Sequence, residues 1–163
     1  MIEGEYSLKE YYDNISDMGT ISKYLGSHYA QISEILKIKN EIGKIDSILD
    51  FGCGAGSFSL ILSNYFEKTK IIGIDTNKNA IEFANSRLTE QLNENNVKFK
   101  ISNQNELIEK ENSFDILTCS LVCHHIPKDD QILQFLKDSI KVSKYYVIIR
   151  DLERHPMSIL SFK

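Results

Sequence analysis

Short, nearly continuous apolar runs alternate along this chain with stretches in which apolar residues recur every three or four positions. SILDF (47–51), KIIGID (70–75), FDILTCS (114–120) and YYVIIRDL (145–152) are runs of the first kind and predict buried strands. VKFKIS (97–102) alternates strictly and predicts a strand with one less covered face. Between them, SFSLILSNYF (57–66) reads as a helix. NKNAIEFANSRLTEQLN (77–93) reads as a longer one, capped by Asn77, with Ala80, Ile81, Ala84, Leu88 and Leu92 on one face. A short helix is expected around 104–110. Another opens at Pro127 and carries Ile132, Leu133, Leu136 and Ile140 as its apolar positions. Residues 1–46 also read as helical: Ile32, Ile35, Leu36 and Lys39 keep helical spacing, Ile38 and Ile42 extend the stripe, and Gly43 is the stop. HPMSILSF (155–162) looks like the start of one more helix.

Strands that alternate with helices and are apolar on both faces predict an α/β fold: a doubly wound, mainly parallel sheet with helices on both sides. Right-handed crossovers give the order 3-2-1-4-5. The expected division is an N-terminal helical cap (1–45) on a core (46–163), the two together making one compact domain. In such a sheet ligands sit at the carboxyl ends of the strands, where the strand order reverses between strands 1 and 4. The candidate site is thereby placed at residues 50–56, 75–76, 102–104 and 119–125.

A chain of 163 residues with 42% apolar composition supports one domain with a real core. The net charge of -4 gives no strong sign of a nucleic-acid partner. The opening MIEGEYSLKE has no apolar h-region, and no apolar run approaches membrane length, so a cytoplasmic protein without a membrane partner is expected. Three cysteines with no CxxC fit a reducing compartment.

The first strand ends in Asp50-Phe51-Gly52-Cys53-Gly54-Ala55-Gly56. Gly52 and Gly54 allow a tight turn and close approach of backbone to a ligand, Gly56 allows close helix packing, and Asp50 can bind backbone or water at the turn. The spacing is GxGxG; Ser57 stands where the dinucleotide fingerprint has its third glycine, and no Gly-Lys-Ser/Thr follows to make a P-loop. Asp75, at the end of the second strand, is placed to accept hydrogen bonds from a ribose diol, which points to a nucleoside without saying which. Capping of the helix that follows is the plain alternative for Asp75.

ILDFGCGAG, IIGID and SFDILTCSLVCHHIP together resemble the Rossmann-type (class I) S-adenosylmethionine-dependent methyltransferases, from about residue 46 onward. The resemblance implies S-adenosyl-L-methionine as cofactor and S-adenosyl-L-homocysteine as product. It implies that Gly52, Cys53 and Gly54 line the methionine part, that Asp75 holds the ribose and that Thr76 lies against the adenine. Where the family often has an acid after strand 3, this chain has Asn103 and Gln104, uncharged but still able to accept from an amino group. Cys119 and Ser120 would approach the sulfur and the methyl acceptor. The His-His pair and RDLERHP are similar to small-molecule methyltransferases of secondary and quinone-type metabolism, which implies a small-molecule acceptor. The family's C-terminal antiparallel hairpin has no counterpart here, so pairing of a second copy or a partner chain along strand 5 is expected, or else a truncated chain.

His124 and His125 are the candidate catalytic residues, with His124 facing the acceptor as a general base and the other fixing the loop. Cys119, Cys123, His124 and His125 match no common zinc spacing, so no metal is expected. A Cys–His nucleophile would need an orienting group that the sequence does not identify. Arg150, Asp151, Glu153 and Arg154 read as a solvated charge cluster, with Arg154 as a possible anion ligand. Tyr11, Tyr12, Tyr24 and Tyr29 read as a lid or as helix packing, and Lys23 or His28 as a partner for the methionine carboxylate. A binding module without catalysis and a nicotinamide oxidoreductase are the alternative functions.

Overall fold

The computed structural model describes residues 27–90, 96–102, 107 and 109–151. The elements are α1 (Ser27–Ile42), β1 (Ser47–Phe51), α2 (Ser57–Tyr65), β2 (Lys70–Asp75), α3 (Lys78–Glu90), β3 (Val97–Ile101), β4 (Phe114–Ser120), a 3₁₀ turn (Cys123–His125), α4 (Asp129–Val142) and β5 (Ser143–Arg150). All strand pairs are parallel and the order is β3-β2-β1-β4-β5, as the alternation of elements predicts.

The strands separate two cores. Ile48, Ile71 and Ile116 point to one face, where α1 brings Ile32 and Ile35, α2 brings Phe58 and Leu62, and α3 brings Ile81 and Ala84. Leu49, Phe51, Ile72, Ile74, Leu117 and Cys119 point to the other, against Phe135 and Val142 of α4. Each fully buried Leu or Ile contributes roughly 1.5–3 kcal/mol, so these two faces hold the strand ends in place. Gly43, at φ 83, ends α1 with its N–H on the Lys39 carbonyl, and Asn77 caps α3 by accepting from the N–H groups of Asn79 and Ala80.

Three local expectations change. Leu107, Glu109 and Lys110 are not helical; the rest of the expected 104–110 helix, apart from those three, lies outside the described residues. Helix α4 begins at Asp129 rather than at Pro127, because Lys128 is still extended, and Asp129 and Asp130 supply negative charge to the first turn. Its buried stripe is Phe135, Ser139 and Val142, and Leu133 and Ile140 face outward at 53% and 69% exposure. Ser139 hid that stripe: its hydroxyl donates to the Phe135 carbonyl, so a polar residue sits inside the apolar contact.

The two sheet edges differ. On β3 the exposed positions include Lys98 and Lys100, charges that discourage further pairing. On β5, Tyr145, Val147 and Ile149 line an open groove of about 620 Å³ with Leu136 and Ile140 of α4. No described helix is long and apolar enough to cross a membrane. The 1–26 part of the expected cap, with Tyr11, Tyr12, Lys23 and Tyr24, lies outside the described residues, as does 152–163, with Glu153 and Arg154.

Candidate functional site

Parallel register brings the carboxyl ends of β1, β2 and β4 level, with Phe51 beside Ile74 and Cys119. The glycine loop leaves β1 at that level. The N–H groups of Gly52 and Cys53 donate to the Ile74 carbonyl at 2.8 and 3.0 Å, and Gly56 closes the turn onto the Cys53 carbonyl at 2.9 Å.

The three glycines have different reasons to be glycine. All three have positive φ (71, 53 and 76 for Gly52, Gly54 and Gly56), a region that side chains resist. A Cβ on Gly52 would lie 2.2 Å from Cγ2 of Val122, so this glycine admits the loop after β4. A Cβ on Gly56 would lie 2.3 Å from Phe99 and 3.1 Å from Ala84, so this one admits β3 and α3. Around Gly54 nothing lies within 4 Å of that position. Gly54 is the loop glycine with open space beside it.

Asp75 is tied to this loop. Its Oδ2 accepts the Gly54 N–H and its Oδ1 accepts the Asn77 N–H, both at 2.8 Å. A carboxylate has about four lone-pair positions, so each oxygen keeps acceptor capacity beyond its one backbone partner. Asp75 therefore shapes the turn as well as ending β2; Asn77, not Asp75, caps the helix. Thr76 beside it is exposed.

Other predicted site residues sit differently from their expected places. Asp50 is 2% exposed. Its carboxylate accepts from the Ser59 hydroxyl at 2.5 Å and the Thr118 hydroxyl at 3.3 Å. Burial pushes its pKa up to about 6, against the lowering effect of the two hydroxyls. The Cys53 side chain packs over Gly73 of β2, and burial pushes its thiol far above the ordinary range. Cys119 is fully buried in the α4-side core beside the Cys123 thiol, which leaves its backbone, not its sulfur, at the strand end. Asn103 and Gln104 lie outside the described residues.

Two supports had no sequence signal strong enough to single them out. Arg87 of α3 donates to the Ala55 carbonyl at 3.2 Å and to the Ser57 hydroxyl at 2.9 Å, bracing the glycine loop from outside. Gln31 of α1, 3% exposed, exchanges hydrogen bonds with the Ser120 hydroxyl at 2.6 and 3.0 Å. His28, one turn earlier, stacks on Phe58 with centroids 5.2 Å apart; burial, then Arg150, lowers its pKa. Gln31 thus ties α1 to the end of β4, and Tyr29 faces outward at 49% exposure.

The loop after β4 carries the histidines. Leu121, at φ 57, donates its N–H to the Arg150 carbonyl at 2.8 Å. Asp151 meets one residue with both of its oxygens: the His124 N–H donates to Oδ2 at 3.0 Å, and His124 Nδ1 lies 2.6 Å from Oδ1. With its side chain only 14% exposed, Asp151 is not part of a solvated charge cluster; it is the orienting group that the sequence did not reveal. His125 is exposed and its ring lies 3.9 Å from that of His124. Among the described residues no group of three or more His, Cys, Asp or Glu is placed to hold a metal ion.

A family model described as a methyltransferase domain matches residues 42–157. The chain belongs to this methyltransferase family. The methyltransferase of Aquifex aeolicus, described as S-adenosylmethionine-dependent, has a crystal structure that superposes with a TM-score of 0.59 at 27% identity, covering 73% of this chain and 64% of that one. YcgJ of Bacillus subtilis (strain 168), described as an uncharacterized methyltransferase, is 38% identical over 78 residues, 48% of this chain and 30% of that protein. The ubiquinone biosynthesis O-methyltransferase of Leptothrix cholodnii is 25% identical over 126 residues, 76% of this chain and 52% of that protein. The methyltransferase chain thus spans about half or less of these two curated relatives. The fold, Rossmann-like with order 3-2-1-4-5, is the one the sequence resemblance implies.

Proposed function

We propose that this methyltransferase domain binds S-adenosylmethionine at the ends of β1 and β2 and transfers its methyl group to a small-molecule acceptor beside β4. The observation that carries the reading is the junction of Gly54 with Asp75. A loop glycine with open space beside it and a carboxylate with acceptor capacity to spare meet across 2.8 Å at the carboxyl ends of β1 and β2. The residues present fit the cofactor. Gly54 offers the only glycine-loop position without a neighbour within 4 Å, Asp75 matches a ribose diol, and Asp50 steadies the loop from beneath through Ser59 and Thr118. Cys53, Thr76, Cys119 and Ser120 border the same space through backbone or exposed side chain, and Asn103 and Gln104 follow β3 in sequence.

The sulfonium supplies an already activated methyl group, so the protein's work is orientation and exclusion of water. In this reading Ser120, held by Gln31, sets the floor of the acceptor site. His124, held by Asp151, stands at its wall as the group able to take a proton. A quinone-type aromatic acceptor is favoured by the name of the Leptothrix relative, which acts in ubiquinone biosynthesis.

A screen of phenolic and other small acceptors with methyl-labelled S-adenosylmethionine tests this. Label on a small molecule, lost in Asp75→Ala, is the expected result. Cofactor binding with no transfer to any acceptor would favour a binding module instead.

A further inference from the structure

We propose that Asp151 is a positioning residue that holds His124 with its proton on Nδ1, so that Nε2 serves as proton acceptor and the methyl acceptor is a hydroxyl. The inference deepens the proposed function and rests on it for the acceptor. Its first half rests on geometry alone.

A three-residue 3₁₀ turn is a weak element that does not fix a side chain unaided. Here it is docked to the end of β5 at three points: Leu121 N–H on the Arg150 carbonyl, and the amide and ring of His124 on Asp151. Leu121 pays for this docking with a left-handed backbone, a conformation that persists only where surrounding contacts impose it. A carboxylate is the one side chain of this size that accepts at both oxygens. Asparagine would turn an NH₂ toward either the His124 amide or the ring. With the amide donating to Oδ2, the oxygen left for the ring is an acceptor, so the neutral ring carries its proton on Nδ1. Among the described residues nothing hydrogen-bonds to Nε2, and the His124 side chain is 27% exposed.

A base placed in this way identifies the acceptor by its chemistry. A neutral amine attacks a methyl sulfonium through its own lone pair, and a thiol ionises close to neutral pH without help. A phenolic or enolic hydroxyl, with a pKa near 10, is the acceptor that gains from a neighbouring imidazole. Its O–H bond breaks and the proton passes to Nε2. The oxygen's electron pair forms the C–O bond while the S–CH₃ pair returns to sulfur, giving a neutral thioether. The resulting imidazolium faces the Asp151 carboxylate, which stabilises it.

The test is long-range ¹H–¹⁵N NMR of the chain labelled at histidine, at about pH 8 where ordinary histidines are neutral, with His124→Asn to assign the ring. The wild type is expected to show a protonated Nδ1 and an unprotonated Nε2. Asp151→Asn should shift the ring toward the Nε2–H form, and Asp151→Glu should restore it in part. A wild-type ring protonated on Nε2, or a tautomer unmoved by Asp151→Asn in a chain still folded by circular dichroism, would overturn the positioning role. If Asp151→Asn does not fold, the wild-type tautomer decides alone. In turnover, Asp151→Asn should lower kcat by about 10- to 100-fold with little change in KM for the methyl donor, a share of what a general base supplies. Transfer confined to acceptors without a dissociable proton would overturn the hydroxyl assignment. Failure to bind S-adenosylhomocysteine, with the expected tautomer present, would overturn the methyltransferase reading and leave the Asp151–His124 pair standing.

Discussion

Gly52 and Gly54 stand two residues apart with similar backbone angles, φ 71 and 53, yet they should fail differently when replaced by alanine. Both substitutions put a side chain in the left-handed region, a cost of about 1–2 kcal/mol. Gly52→Ala adds a Cβ 2.2 Å from Val122 Cγ2, and overpacking of that kind costs about 1–3 kcal/mol more. Gly54→Ala adds a Cβ with nothing within 4 Å. Urea unfolding should therefore show Gly52→Ala destabilised by about 2–5 kcal/mol and Gly54→Ala by about 1–2. Val122→Ala should return the clash part of the Gly52→Ala loss and none of the Gly54→Ala loss. Calorimetry with S-adenosylhomocysteine should show the reverse ranking. The alanine at 54 stands where ligand backbone contact is proposed and should weaken binding tenfold or more, about 1.4 kcal/mol. Equal destabilisation by the two, or unchanged affinity in Gly54→Ala, would refute the division of labour drawn from the loop.

Three further outcomes are expected. Asp75→Ala should weaken S-adenosylhomocysteine binding by about 3–6 kcal/mol, the scale of two charge-assisted hydrogen bonds; unchanged affinity in titration calorimetry would remove Asp75 from the site. Asp50 has a folded pKa raised to about 6 from 3.8. The folded state therefore binds its proton more tightly than the unfolded state. Its stabilising contribution is full below about pH 4 and is lost as pH rises through about 6, a difference of about 3 kcal/mol. Urea unfolding of the wild type against Asp50→Asn at about pH 4 and 7 should show the wild type losing ground at the higher pH; a constant gap would contradict the burial of this carboxylate. Pairing of a second copy along β5 predicts a dimer by light scattering that Val147→Lys converts to monomer, and a monomeric wild type would end that expectation.

The sheet was legible because the ends of its three inner strands are written twice, by an apolar run and by the break that follows it. SILDF, KIIGID and FDILTCS end where the hydrogen-bonded ladder ends. The same feature placed the site, since parallel strands bring their carboxyl ends together whatever the side chains are. What lay hidden depends on contacts between residues far apart in sequence. Asp151 read as solvated because nothing local shows that an aspartate at the end of β5 meets a histidine 27 positions earlier. Nothing local marks Arg87, whose partners Ala55 and Ser57 lie 30 or more positions away in sequence. Gly52 read as room for a ligand, although the room is filled by Val122, a residue brought there by the β1–β4 pairing. Spacing marks where backbone must turn; it does not say what turns toward it.

The proposed function stands or falls with the Gly54–Asp75 junction as the seat of the nucleoside of a sulfonium cofactor. Titration calorimetry of the chain with S-adenosylhomocysteine, NAD and NADP in parallel tests it most directly. One-site binding of S-adenosylhomocysteine that Asp75→Ala weakens is expected, with no comparable heat from the nicotinamide cofactors. Binding of NAD or NADP without S-adenosylhomocysteine would contradict it.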